Sequence, residues 1–128
     1  MNVLAIGAHP DDVEIACSGT LAKCVKRGDK VIVCHASTGN LGHVVIPPDE
    51  LTKIRAEEAK KAGGLAGIEV IGVMFDDLNI FDGNKAARDK LVDVIKYAQP
   101  DFIITHNPDD YMPDHTAVLR LVFDASFA

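Results

Sequence analysis

The chain has 128 residues, 48% hydrophobic and 25% charged, with 10 glycines and 6 prolines, a composition that excludes disordered and fibrous classes and favours one globular domain. A chain this long buries roughly two-thirds of the surface its unfolded form exposes, so a core forms without disulfides or a structural metal, and any ion it holds is expected to serve chemistry. Lys+Arg 13 against Asp+Glu 19 give a net charge of -6, and without a basic stripe nucleic acid is not an expected partner.

Cys17, Cys24 and Cys34 are odd in number and lack C-x-x-C spacing, which argues against a disulfide framework or a thiolate zinc cluster and for small core residues. Residues 1–7 enter a strand pattern with no basic n-region ahead of an apolar stretch, and no apolar run reaches membrane-spanning length. A reducing cytoplasm and no membrane span are the expectation.

In chain order, Val3–Ala8 is an unbroken apolar run, the pattern of a strand covered on both faces. A helix is predicted over Gly19–Arg27 after Ser18, then a strand over Lys30–Ala36 beyond the Gly28-Asp29 stop. Pro48–Lys61 reads as a second helix, with proline and acids in its first turn and lysines in its last. A strand over Val70–Phe75 follows a Gly-rich break, and Asn84–Ala98 is amphipathic, with Leu91, Val94, Ile95 and Ala98 on one face. Phe102–Thr105 is the fourth strand, and His115–Ala128 a last amphipathic helix without a stop signal. Strands alternating with helices imply right-handed crossovers and an α/β fold, a three-layer Rossmann-like sandwich around a mostly parallel sheet. Residues 1–128 read as a single domain truncated at its C-terminus, the N-terminal portion of a longer one, with a sheet flank left for another segment or subunit; a homo-oligomer is expected.

Ligands of open α/β sheets bind outside the carboxyl ends of the strands. The first strand runs into His9-Pro10-Asp11-Asp12-Val13-Glu14, and the fourth into His106-Asn107-Pro108-Asp109-Asp110-Tyr111-Met112-Pro113-Asp114-His115. If these strands are neighbours, the clusters converge. Two imidazoles and a carboxylate suit zinc and leave a coordination position open. His9 and Asp12 reach one ion from a single loop, His115 from the facing loop, and Asp11 stays free to take a proton from water. Ferrous iron accepts the same donors. Bland readings compete at each place: acids capping a helix at His9–Glu14, a surface histidine at His115, turn chemistry at Asp109 and Asp110, and structural or solvated roles for His35 and His43. Asp76 and Asp77 fit a turn as well as contacts to substrate hydroxyls.

The sequence Ala8-His9-Pro10-Asp11-Asp12 with Glu14, the Ser18-Gly19-Thr20 segment, Arg55, Glu58 and Ala62, and Pro113-Asp114-His115 together resemble the LmbE-like or PIG-L family of zinc-dependent N-acetylglucosaminyl de-N-acetylases. The resemblance implies that His9, Asp12 and His115 hold Zn2+, with Fe2+ as the alternative ion, and that Asp11 is the general base. It implies an N-acetylglucosamine-like, N-acylated amino sugar or conjugate as substrate, approached by Arg55, with His106, Tyr111 and Asp114 as supporting residues. One departure stands out. Family members commonly carry a histidine three residues before the last ligand, where this chain has Met112, and a thioether donates no hydrogen bond to an oxyanion. Weak activity, another substrate, or His106 or Tyr111 as replacement donor all stay open. The main competing function is a metal- or ligand-binding module of the same fold with weakened catalysis. A receiver-like signalling domain leaves His9 and His115 unexplained.

Overall fold

The computed structural model describes residues 1–128 as β1 (Asn2–Gly7), α1 (Asp12–Arg27), β2 (Lys30–Ser37), α2 (Pro48–Ala66), β3 (Glu69–Phe75), α3 (Lys85–Ala98), β4 (Phe102–Ile104) and α4 (Pro113–Ala125). The sheet order is β3-β2-β1-β4, and every pairing is parallel. The first strand is thus central, with β2 on one side and β4 on the other, and the strand order reverses beside it.

Alternation along the strands builds the three layers. Leu4, Ile6, Ile32 and Cys34 face one way and pack with Leu91 and Val92 of α3 and Val118, Leu121 and Val122 of α4. Val3, Ala5, Val31 and Val33 face the other way, against Val13, Leu21 and Cys24 of α1. Cys24 and Cys34 are buried, Cys17 is half-buried, and all three are free thiols. No helix is long and apolar enough to cross a membrane.

Two helices run further than the sequence suggests. The first begins at Asp12 rather than Gly19: Val13 and Leu21 are buried against the same face of the sheet, so packing carries the helix through Ser18-Gly19, and Asp12 and Glu14 sit where the helix dipole favours acids. The second continues past Lys60 and Lys61 to Ala66, so no basic residue lies in its last turn. Gly63 is the reason. A Cβ there would meet Val70 Cγ2 at 2.4 Å, so the missing side chain lets α2 close onto β3, and that contact outweighs the poor helix propensity of glycine. The last helix likewise starts at Pro113, two residues ahead of His115.

Candidate metal centre and cleft

Pairing of β1 with β4 in the register Ala5↔Ile104 brings the loops after both strands to one end of the sheet. They are stitched together directly: the Ala8 N–H donates to His106 Nε2 at 2.8 Å. The Asp12 carboxylate sits at the centre. Its Oδ2 accepts the His9 backbone N–H at 2.8 Å and lies 3.3 Å from His9 Nδ1; its Oδ1 lies 3.4 Å from His115 Nε2. His9, Asp12 and His115 thus offer ligand atoms within 4.8 Å of one another.

Each imidazole is held from behind by a carboxylate. His9 Nε2 lies 2.9 Å from Asp114 Oδ2, and His115 Nδ1 lies 3.0 Å from Asp110 Oδ1. This carboxylate–histidine pairing fixes the tautomer and turns the other nitrogen of each ring toward the centre. Asp114, 2% exposed, also accepts the Leu78 N–H at 2.9 Å; Leu78 has a left-handed backbone, φ 61, held there by that bond.

Whether the residues fit a divalent cation is answered by one atom. His115 Nε2 is buried and has no hydrogen-bond partner, which is costly unless something else takes its lone pair. A cation held by His9, Asp12 and His115 would do that, and the donor set, two imidazoles and one acid, fits an open zinc site. A second group, His106, Asp110 and His115, is also close enough to hold an ion. Its donors are already engaged: His106 Nε2 by Ala8, and Asp110 by His115 and by the Met112 N–H at 3.1 Å. The first group is the open one.

The electrostatics agree. Burial disfavours a charged His9, but Asp12 and Asp114 outweigh it and raise the imidazole to about 9. Burial likewise works against ionised Asp12, yet the His106 and His9 imidazoles beside it, the His9 backbone N–H and the nearby His115 hold it well below the ordinary carboxylate range. The Met112 N–H, helped by His115, holds Asp110 low as well. The centre is a cage of ionised acids around imidazoles, a field that favours a cation.

In front of this centre is a cleft of about 350 Å³ lined by His9, Asp11, Asp12, Arg55, Tyr111, Met112 and His115 among others. Asp11 lies at its rim, half-exposed, with Arg55 Nη2 3.2 Å from its Oδ2. Tyr111 is 91% exposed and meets the His115 ring edge-on at 5.8 Å. His106 stacks on His115 at 4.1 Å but lines a separate hollow between β1, β4 and α1.

Of the residues singled out in the sequence, His9, Asp11, Asp12, Arg55, Tyr111, Met112 and His115 line this cleft, and His106, Asp110 and Asp114 lie against its imidazoles. Asp110 is the one that turn chemistry misled. Asn107-Pro108-Asp109-Asp110 is indeed a turn, with the Asp109 N–H donating to Asn107 Oδ1, but Asp110 orients His115, and no local pattern signals a carboxylate five residues ahead of a ligand. Asp77 serves structure: buried, it accepts from Ser37 Oγ at 2.7 Å and from the Gly39 and Leu41 N–H groups at 3.0 Å, pinning the loop that walls the cleft. His35 is buried against Glu14 at 3.0 Å, and His43 Nδ1 accepts the Val45 and Ile46 N–H groups, structural roles for both.

Comparison with known proteins gives the same frame. The chain is 31% identical to a 1D-myo-inositol 2-acetamido-2-deoxy-alpha-D-glucopyranoside deacetylase of Corynebacterium diphtheriae, across 88% of this chain and 47% of that protein. It is 25% identical to a 4-oxalmesaconate hydratase of Pseudomonas putida, across 97% of this chain and 51% of that one. Among solved structures, the N,N'-diacetylchitobiose deacetylase of Pyrococcus horikoshii superposes with a TM-score of 0.89 at 26% identity, covering 96% of this chain and 48% of that one. The chain spans about half the length of these relatives. Residues 4–126 match the family described as PIG-L: GlcNAc-PI de-N-acetylase, and the chain belongs to that family.

Proposed function

We propose that the cleft hydrolyses the amide of an N-acetylated amino sugar or a related N-acyl conjugate, using a divalent cation held by His9, Asp12 and His115. The observation that carries this reading is the unpartnered, buried His115 Nε2 facing Asp12 beside a cleft that also contains Asp11. The deacetylase relatives support the substrate class. Zn2+ is the favoured ion on donor type, and Fe2+ fits the same set.

Such a cation acidifies water and polarises the acyl carbonyl. Asp11, outside the ligand set, takes the proton of the attacking water and returns it to the departing nitrogen, so that acetate and free amine leave with protons balanced. Asp114 and Asp110 keep the imidazoles oriented. Met112 lines the cleft but donates nothing to a developing oxyanion. Tyr111 lines the same cleft, whereas His106 has its Nε2 engaged by Ala8 and lies off to the side, so the phenol is the replacement donor we assign.

Amine release from N-acetylglucosamine conjugates by the zinc- or iron-loaded chain tests this. Asp11→Ala is expected to keep the cation and lose turnover. Full turnover in Asp11→Ala refutes the base assignment. A second reading, an ion-holding module with little catalysis, has Met112 in its favour; bound cation with no amine release across an N-acyl panel selects it. Water addition to 4-oxalmesaconate instead moves the chain toward its hydratase relative.

A further inference from the structure

Asp11 occupies the N-cap position of α1, yet its side chain makes no capping hydrogen bond. A half-exposed carboxylate free of the helix it precedes samples several rotamers in water, and a proton acceptor in that condition is poorly placed. What holds Asp11 is a side chain from a different element. Arg55, on α2, puts Nη2 3.2 Å from Asp11 Oδ2 and donates from the same nitrogen to the Pro10 carbonyl, gripping the backbone and side chain of adjacent residues together.

Arg55 is itself constrained. Its Nε is buried without a hydrogen-bond partner, with Glu58 Oε2 at 3.8 Å, so the constraint comes from packing: its stem passes Gly39. A Cβ on Gly39 would come within 3.2 Å of Pro10 Cδ and 3.5 Å of Arg55 Cγ, and Gly39 has φ +73, where a side chain is strained. The wall formed by Gly39, Pro10 and the Arg55 stem is closely packed, so the guanidinium reaches Asp11 from a fixed direction. The two N–H groups of Nη2 lie in the rigid guanidinium plane and can serve both acceptors at once.

We infer that Arg55 is a positioning residue for Asp11, clamping the carboxylate of the proposed base to the loop that carries it. This rests on the hydrolase reading above, in which Asp11 handles the proton. Because placement of a reacting group is worth up to about a hundredfold in rate per ångström of error, its loss shows in turnover before it shows in binding.

The test compares wild type, Arg55→Ala, Arg55→Lys, Asp11→Asn and the double variant, all with the cation bound. Arg55→Ala is expected to lower kcat by about 10–100-fold with KM changed by no more than about threefold. Arg55→Lys restores part of the loss, since the charge remains while the fork is gone. In the Asp11→Asn background, removing Arg55 costs nothing further, because the group it positions is already disabled. Cation affinity is the same in all five. Crystal structures supply a readout independent of turnover: Asp11 in one rotamer in wild type and spread over several in Arg55→Ala. A raised KM with kcat intact makes Arg55 a substrate contact, and additive losses in the double variant, or a single Asp11 rotamer without Arg55, overturn the inference. If the loaded wild type releases no amine, the hydrolase reading fails on its own, and the rotamer comparison still decides whether Arg55 sets Asp11.

Discussion

Replacing Asp114 by asparagine tests the centre most directly, because the change keeps shape and removes only charge. Asp114 Oδ2 receives two groups, His9 Nε2 at 2.9 Å and the Leu78 N–H at 2.9 Å, in a side chain only 2% exposed. With a carboxylate behind it, His9 presents its other nitrogen as a strong donor to a cation; with a neutral amide, the imidazole is a weaker base and its tautomer is no longer enforced. Loss of such a partner typically costs 10–100-fold in metal affinity, about 1.4–2.8 kcal/mol. Asp114→Ala costs more. It also leaves the Leu78 N–H unpaired, a penalty of about 1–3 kcal/mol to the fold, and unties a left-handed leucine that is itself strained by roughly 1–2 kcal/mol. Competition between protein and a chromophoric chelator for zinc gives the affinities, and urea unfolding of the metal-free chains gives the stabilities. An Asp114→Asn protein that is folded and binds zinc as tightly as the parent refutes the argument that the carboxylate sets the ligand.

Further outcomes are expected from His9 and from the two helix glycines. Metal-free His9 is raised from 6.5 to about 9, with burial opposing and Asp12 and Asp114 prevailing, so its contribution to stability is complete below pH 6.5 and is lost as pH rises through about 9. The same proton competes with a cation, so zinc affinity climbs with pH up to about 9 and binding at pH 7 releases protons, measurable by calorimetry in buffers of differing ionisation enthalpy; His9→Gln removes both effects. On the far side of the sheet, Gly63→Ala forces a Cβ to within 2.4 Å of Val70 Cγ2 and 2.8 Å of the Ile68 carbonyl, costing about 1–3 kcal/mol by overpacking. Its neighbour Gly64 has nothing within 4 Å of its Cβ position, and Gly64→Ala stabilises by about 0.5–1 kcal/mol through helix propensity alone. The pair of urea midpoints checks whether the contact, rather than the residue type, sets the sign.

The strands were legible because a strand covered on both faces must be apolar along its covered stretch, and Val3–Ala8 and Val31–Cys34 are. His9, Asp12 and His115 stood out because imidazoles and acids are chemically expensive after strand ends, and the structure brings their ligand atoms within 4.8 Å of one another. Helix limits were not. Ser18-Gly19 and Lys60-Lys61 carry the local marks of a start and a stop, but burial of Val13 and the closeness of Gly63 to Val70 outweigh a few tenths of a kilocalorie of local preference. Asp110 and Arg55 show the same division. Nothing near Asp110 in the chain distinguishes a turn aspartate from one that orients His115, and nothing near Arg55 says that its partner lies forty-four residues earlier, at Asp11. Residue chemistry alone determined which donors were available and that they would sit at strand ends; which nitrogen of each imidazole faces Asp12, and which carboxylate stands behind it, was decided only when pairing of β1 with β4 brought two distant loops within hydrogen-bonding reach, because those choices depend on distances that no local sequence encodes.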